Sequence, residues 1–107
     1  MPLTRSFKET VQDRVRSDPA YRDALLVEAL EVLFQGDVAV GKAILRDYIN
    51  ATIGFEPLAR AVGAQPKSLM RMFGPRGNPT TSNLMAVIAE LQRSTGIRLR
   101  LDVQQLR

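Results

Sequence analysis

The sequence predicts an all-α fold, a bundle of short helices followed by a short C-terminal β-strand. Up to about residue 95, apolar residues recur at the three- and four-residue spacing of a helix face. After Gly96 they alternate with charged residues, which is the spacing of a strand. The chain has 107 residues, a length that forms one compact domain, with or without a short appendage.

Residues 1–36 are predicted to form an N-terminal helical extension with two helices. The first, over about residues 6–17, carries one apolar stripe on an otherwise charged surface. Asp18 is placed to cap the second helix. Pro19 suits the first position of that helix, where a missing N–H costs no hydrogen bond. Gly36 ends the extension.

Residues 37–95 are predicted to form the central domain. Asp37 and Thr80 are placed to cap its first and last helices. Residues 76–79 are predicted to be a loop, because glycine and proline do not propagate a helix. The four predicted helices cover about residues 37–50, 55–62, 66–73 and 80–95.

Residues 96–107 are predicted to form a strand and tail. Ile97, Leu99, Leu101 and Val103 alternate with Arg98, Arg100 and Asp102. The chain has no second convincing strand, and a lone strand leaves its backbone donors and acceptors unpaired. We therefore expect pairing with the same strand of a second copy or with another protein; the alternative is a frayed tail.

The composition argues against several classes of site. The chain contains no cysteine, histidine or tryptophan. The usual ligand sets for zinc, iron–sulfur clusters and haem are therefore missing, as are a histidine base and a cysteine nucleophile. Carboxylates, lysines and tyrosines remain, and no motif organises them for catalysis. We expect a binding protein rather than an enzyme, with no metal and no cofactor.

Basic residues are unevenly placed along the chain. The 15 basic and 11 acidic residues give a net charge of +4. Residues 1–36 hold five basic and six acidic residues, so the excess of positive charge lies further along. No acidic residue lies between Glu56 and Glu90, a stretch that contains Arg60, Lys67, Arg71 and Arg76. Such a stretch is typical of a surface that meets phosphate; the alternative is a mildly basic solvated face.

The two short central helices carry the most informative pattern. Two helices joined by a three-residue turn containing glycine form a helix-turn-helix arrangement. Small Ala59 stands where the helices must approach closely, and Gly63 stands in the turn, where a positive φ is needed. The residues expected on the inner faces are Leu58, Val62, Ala64, Leu69 and Met72. The alternative is a purely structural helical hairpin.

Residues 37–91 resemble the phage-repressor-like (XRE-type) helix-turn-helix domain. The runs RDYINA, PKSLMRM and GPRGNP, at 46–51, 66–72 and 74–79, resemble bacterial predicted transcriptional regulators of the addiction-module antidote (HigA-like antitoxin) group. The resemblance implies four or five helices preceded by one or two more. It also implies operator binding as a dimer and, often, a toxin partner.

By the motif of that family, the base-reading residues are Gln65, Lys67, Ser68 and Arg71. Gln65 replaces the usual capping serine or threonine, and Pro66 compensates by fixing φ. An arginine can offer two parallel hydrogen bonds to guanine, and a glutamine suits adenine. Met70, beside this face, is expected to pack against a neighbouring helix. Candidates for contacts to the DNA backbone are Arg60, Arg76, Asn78 and Thr81.

These features predict a DNA-binding transcriptional regulator that binds double-stranded DNA as a homodimer. The alternative is an antitoxin that mainly neutralises a small toxin protein and binds DNA for autoregulation. In that case the acidic balance of residues 6–35 would suit a basic partner. The N-terminus lacks a signal-peptide pattern, and no apolar run reaches the length of a membrane span. We expect a cytoplasmic protein without a membrane partner.

Overall fold

The protein is described by a computed structural model of residues 7–106. Residues 1–6, at the start of the predicted extension, and residue 107, at the end of the predicted tail, lie outside the described residues. The described residues contain six helices and no strand, so the all-α class is confirmed. In chain order the helices are α1 (Phe7–Ser17), α2 (Pro19–Phe34), α3 (Val38–Ala51), α4 (Phe55–Val62), α5 (Pro66–Met72) and α6 (Thr81–Thr95).

Local capping explains where three of the helices begin. Asp18, Asp37 and Thr80 each accept a hydrogen bond from the backbone N–H three residues further on, at 3.2, 3.2 and 3.1 Å. All three predicted caps are confirmed. Each bond satisfies one of the backbone donors that the first turn of a helix leaves without a partner.

The cap at Asp18 is also an electrostatic one. The hydrogen bond from the backbone N–H of Tyr21 lowers the pKa of the Asp18 carboxyl below its ordinary value of 3.8. A carboxyl whose pKa falls on folding favours the folded chain at pH values above its ordinary pKa. This contribution is lost as the pH falls through the lowered pKa.

One core joins α2 to helices α3–α6 and to the start of the C-terminal segment. Helix α2 packs on α3, while α4 packs on both α5 and α6. Gly41 permits the α2–α3 approach, because a Cβ there would lie 2.5 Å from the Leu33 side chain. The fully buried members of this core are Leu26, Ala29, Leu45, Tyr48, Ile49, Leu58, Ala59, Leu69, Phe73, Val87 and Leu91.

Helix α1 attaches to the C-terminal end of α3. Its buried residues Val11 and Val15 form a second, smaller cluster with Ala51. Tyr21 packs against this cluster, and the guanidinium carbon of Arg14 lies 4.6 Å from the centre of the Tyr21 ring. Apolar packing and a cation–π contact therefore hold α1 against the rest of the molecule.

The C-terminal segment has no regular secondary structure. Residues 97–106 form neither helix nor strand, so the predicted strand is not confirmed. The physical reason is that a strand is defined by its pairing, and the described chain offers no second strand. Ile97 and Leu99 nevertheless pack against the core, which fixes the first part of the segment on the molecule.

None of the helices in the described part of the chain is both long enough and apolar enough to cross a membrane.

Candidate nucleic-acid interface

Helices α4 and α5 are joined by a tight turn of residues 63–65. Gly63 ends α4 in the left-handed conformation, with φ of 74°. The N–H of Ala64 then donates to the carbonyl oxygen of Ala59 at 2.9 Å. Ala59 is small and fully buried on α4, as predicted. The positive φ predicted for Gly63 in the turn is confirmed.

The inner face of the α4–α5 pair is sealed by apolar side chains. Leu58 and Leu69 are buried from the two helices, and Phe73 is buried just after α5. The Phe73 ring lies 6.5 Å from the Phe55 ring, at an interplanar angle of 51°. Val62, Ala64 and Met72, also predicted to face inward, are half-buried.

The outer face of α5 carries the predicted base-reading residues. Lys67 and Arg71 are exposed, and their spacing of four places them on one side of the helix. Ser68 is half-buried, and Gln65 is exposed at the start of the helix. Gln65 makes no side-chain capping bond, while Pro66 occupies the first helical position. Three of the four side chains are therefore exposed, and the fourth, Ser68, is partly accessible.

The predicted backbone-contacting residues are also exposed. Arg60 lies on α4, Arg76 and Asn78 lie in the loop after α5, and Thr81 begins α6. Asn78 lies next to two of the base-reading residues, Ser68 and Arg71. A shallow depression of about 250 Å³ is lined by Ser68, Arg71, Met72, Gly77 and Asn78.

The loop after α5 is held by two cations of α3 that were not predicted as functional residues. Lys42 is only 6% exposed, and its Nζ donates to the carbonyl oxygens of Gly74, at 3.1 Å, and Gly77. Arg46 Nη1 donates to the carbonyl oxygen of Phe73 at 3.3 Å. These carbonyls follow the C-terminal end of α5, where a positive charge is favourable.

The sequence contains a signal for the role of Lys42. Val38, Lys42, Leu45 and Ile49 follow the spacing of one helix face. A lysine within an apolar stripe must either bring its charge to water or satisfy it internally. The backbone carbonyls of a distant loop satisfy it here.

Gly77 presses against the end of α5. A Cβ at this position would lie 1.8 Å from the carbonyl oxygen of Arg71 and 2.7 Å from that of Met72. Both are backbone atoms, so no side-chain rotation would relieve the clash. The N–H of Gly77 also donates to the carbonyl oxygen of Gly74 at 3.1 Å. Close backbone approach therefore requires glycine here, and this sets the position of Asn78.

The positive charge of this surface is not neutralised by neighbouring carboxylates. Within residues 7–106, none of Arg60, Lys67, Arg71 and Arg76 forms an ion pair. The arginines of the described residues that do form ion pairs lie elsewhere, in the pairs Arg14–Asp18, Arg16–Asp13, Arg22–Asp23 and Arg93–Glu90. The surface therefore presents cations that a phosphate backbone can engage.

Met70 differs from the prediction. It was expected to pack against a neighbouring helix, but it is 52% exposed. Leu69 and Phe73 already fill the inner side of the α5 segment, so Met70 is left on the outer side, between the core and the cationic face. An apolar, flexible side chain therefore lies beside Arg71.

The described residues contain no group of three or more His, Cys, Asp or Glu side chains able to hold a metal ion.

Comparison with family models, curated proteins and solved structures finds no match to this chain.

Proposed function

We propose that the protein is a sequence-specific DNA-binding transcriptional regulator that inserts α5 into the major groove and acts as a dimer. One observation carries this proposal. Helix α5 buries Leu69 against α4 while it exposes Lys67 and Arg71, with no carboxylate paired to either in the described residues. We further propose that α3–α6 form a phage-repressor-like helix-turn-helix domain, with α4 and α5 as the two helices of the motif.

The side chains of α5 suit the edges of base pairs. Arg71 can bond bidentately to O6 and N7 of guanine, and Lys67 can bond the same edge or a phosphate. Gln65, at the tip, suits adenine, while Ser68 can donate or accept. The exposed Met70 adds an apolar surface that fits the methyl group of thymine.

The length of α5 explains why one copy is not sufficient. Seven residues span roughly 10 Å, since each helical residue rises about 1.5 Å. That length covers about three base pairs at roughly 3.4 Å each. So few base contacts do not specify an operator in a genome, and two-fold related half-sites supply the remainder.

The flanking residues would orient α5 without selecting a sequence. Arg60, Arg76, Asn78 and Thr81 are exposed on the segments that flank α5 in the chain, where contacts to phosphate would fix its angle in the groove. Lys42 would act indirectly, because it holds the loop that carries Arg76 and Asn78.

Binding to the promoter fragment of the protein's own gene tests this proposal. Measured by fluorescence anisotropy across a salt series, Arg71→Ala should weaken specific binding by about 1–3 kcal/mol and relax the preference at one base position. Arg60→Ala should weaken binding to all DNA sequences by the same factor, because a contact to the DNA backbone does not select a sequence. The matched control is Arg93→Ala, which removes an exposed arginine paired with Glu90 on α6 and should leave the affinity unchanged. Unchanged affinity after removal of both Lys67 and Arg71 would overturn the site.

A second candidate function is an antitoxin that binds a basic toxin protein through the N-terminal helices. Phe34 is 68% exposed at the end of α2, with Val27 and Val38 also exposed nearby in the chain, and Glu28 and Glu31 are exposed on α2. An apolar surface with acidic neighbours suits a basic partner.

This candidate requires a small basic open reading frame beside the gene. The product of that frame should form a stable complex with the protein in a titration. Phe34→Asp should abolish the complex and leave promoter binding intact. A solitary gene, or a complex insensitive to Phe34→Asp, would contradict it.

A further inference from the structure

The backbone of the C-terminal segment is hydrogen-bonded to α6 at its start and largely open beyond Leu99. The N–H of Ile97 donates to the backbone carbonyl of Gln92 at 3.0 Å, and the N–H of Leu99 donates to the Gln92 side chain at 2.8 Å. The N–H groups of both residues are therefore turned toward α6, whereas the N–H of Val103 donates to the Asp102 side chain at 3.0 Å.

Most backbone N–H groups that follow are open. Within the described chain, those of Arg98, Arg100, Leu101 and Asp102 have no hydrogen-bond partner. In an extended strand, the even-numbered groups among them point to one edge. The apolar side chains beyond Leu99 are open too, with Leu101 83% and Val103 82% exposed. An edge of unpaired backbone groups with an exposed apolar face is a template for pairing with another strand.

The charges of this segment favour an antiparallel copy of itself in one register. With Leu101 opposite Leu101 of the second copy, Arg100 lies opposite Asp102 in both directions. In the same register Leu99 lies opposite Val103, and Arg98 lies opposite the uncharged Gln104. Opposite charges at facing positions stabilise an antiparallel pair, and like charges destabilise it.

Neighbouring registers are less favourable. A shift of two residues places either Arg100 opposite Arg100 or Asp102 opposite Asp102. A shift of one residue brings apolar side chains opposite charged ones, because side chains alternate between faces with a period of two. The register centred on Leu101 avoids both conflicts.

We propose that residues 98–104 pair with the same residues of a second copy as an antiparallel two-stranded ribbon centred on Leu101. The even-numbered backbone groups form the ladder, and the pairing covers Leu101 and Val103 of both copies. This inference rests on the proposed function in one respect, the dimeric state, and it names the surface that produces that state.

A charge-swap experiment tests the register. Arg100→Asp and Asp102→Arg each place like charges at two facing pairs, and each should raise the dimer dissociation constant at least ~10-fold. An equimolar mixture of the two variants restores opposite charges at both pairs and should form a heterodimer of wild-type strength. Arg98→Asp is the matched control: it faces Gln104 and should leave the dimer unchanged. Sedimentation equilibrium of the full chain, without DNA, gives these constants.

Several outcomes would overturn the proposal. They are a wild-type chain that is monomeric at about 10 µM, single variants that are as dimeric as the wild type, or a mixture that stays monomeric. The double variant that lacks Lys67 and Arg71 separates this inference from the proposed function. It should remain a dimer while it loses promoter binding. A dimer that depends on the swap without any promoter binding would leave the ribbon standing and overturn the DNA proposal alone.

Discussion

Tyr48 illustrates how burial depth alters the chemistry of one side chain. The whole residue is buried, and its hydroxyl has no hydrogen-bond partner among residues 7–106. Burial raises the pKa of the Tyr48 hydroxyl above its ordinary value of 10.0. The ring therefore contributes apolar contact, while the hydroxyl contributes an unsatisfied polar group.

Tyr48→Phe is accordingly expected to preserve or raise the free energy of unfolding at neutral pH, by up to about 1 kcal/mol. At alkaline pH the unfolded chain loses the Tyr48 proton first, because the folded pKa is raised. The stability that the wild type has below pH 10.0 is therefore lost as the pH rises through the raised pKa. The variant lacks this loss. Urea unfolding at about pH 7 and about pH 11 measures both effects.

Tyr21→Phe provides the matched control for this experiment. Tyr21 is half-buried against Arg14, so its replacement should leave the alkaline loss of the wild type in place. A Tyr48→Phe variant that is less stable than the wild type by more than about 1 kcal/mol would mean that the hydroxyl is hydrogen-bonded in solution.

At the scale of the element, α5 depends on a helix that does not touch DNA in the proposed complex. The segment after α5 turns back over its own C-terminal end, and the side chains of Lys42 and Arg46 on α3 hold its carbonyls. Gly77 completes this arrangement because only a residue without a Cβ can approach the Arg71 carbonyl so closely. The position of Asn78 beside Ser68 follows from these contacts.

Replacing Lys42 with methionine should lower the free energy of unfolding by about 1–3 kcal/mol, because the carbonyls of Gly74 and Gly77 lose their donor. Promoter affinity should also fall, since the loop with Asn78 is no longer fixed. Chemical denaturation and fluorescence anisotropy on the same sample measure the two effects.

Lys67→Met is the matched substitution at an exposed lysine of α5. It should change the stability by less than about 0.5 kcal/mol, as surface substitutions usually do, while it lowers promoter affinity. Equal stability of the Lys42→Met variant and the wild type would show that the loop does not need its internal cation.

At the scale of the whole molecule, local physics made much of the fold predictable. The caps at Asp18, Asp37 and Thr80 involve residues three positions apart, so the sequence contains both partners of each bond. The turn at Gly63 and the exposure of Lys67 and Arg71 follow from helix period and from the φ that glycine permits.

Features that join distant parts of the chain were not predictable in the same way. Lys42 bonds to carbonyls 32 and 35 residues away, and no local pattern identifies that loop as its partner. The burial of Tyr48 and the exposure of Met70 depend on which side chains from distant parts of the chain occupy the core. The C-terminal strand was predicted from alternation alone, but a ladder requires a second strand that one chain does not supply.

The separation of inner and outer residues on α5 has a consequence for retargeting. Leu69 anchors the helix to the core, whereas Gln65, Lys67 and Arg71 point to solvent. These three positions can be diversified in a library without opening a cavity, because no packed atom is exchanged. The fold thus tolerates new side chains at these three exposed positions, provided that the buried Leu69 of the same helix is retained.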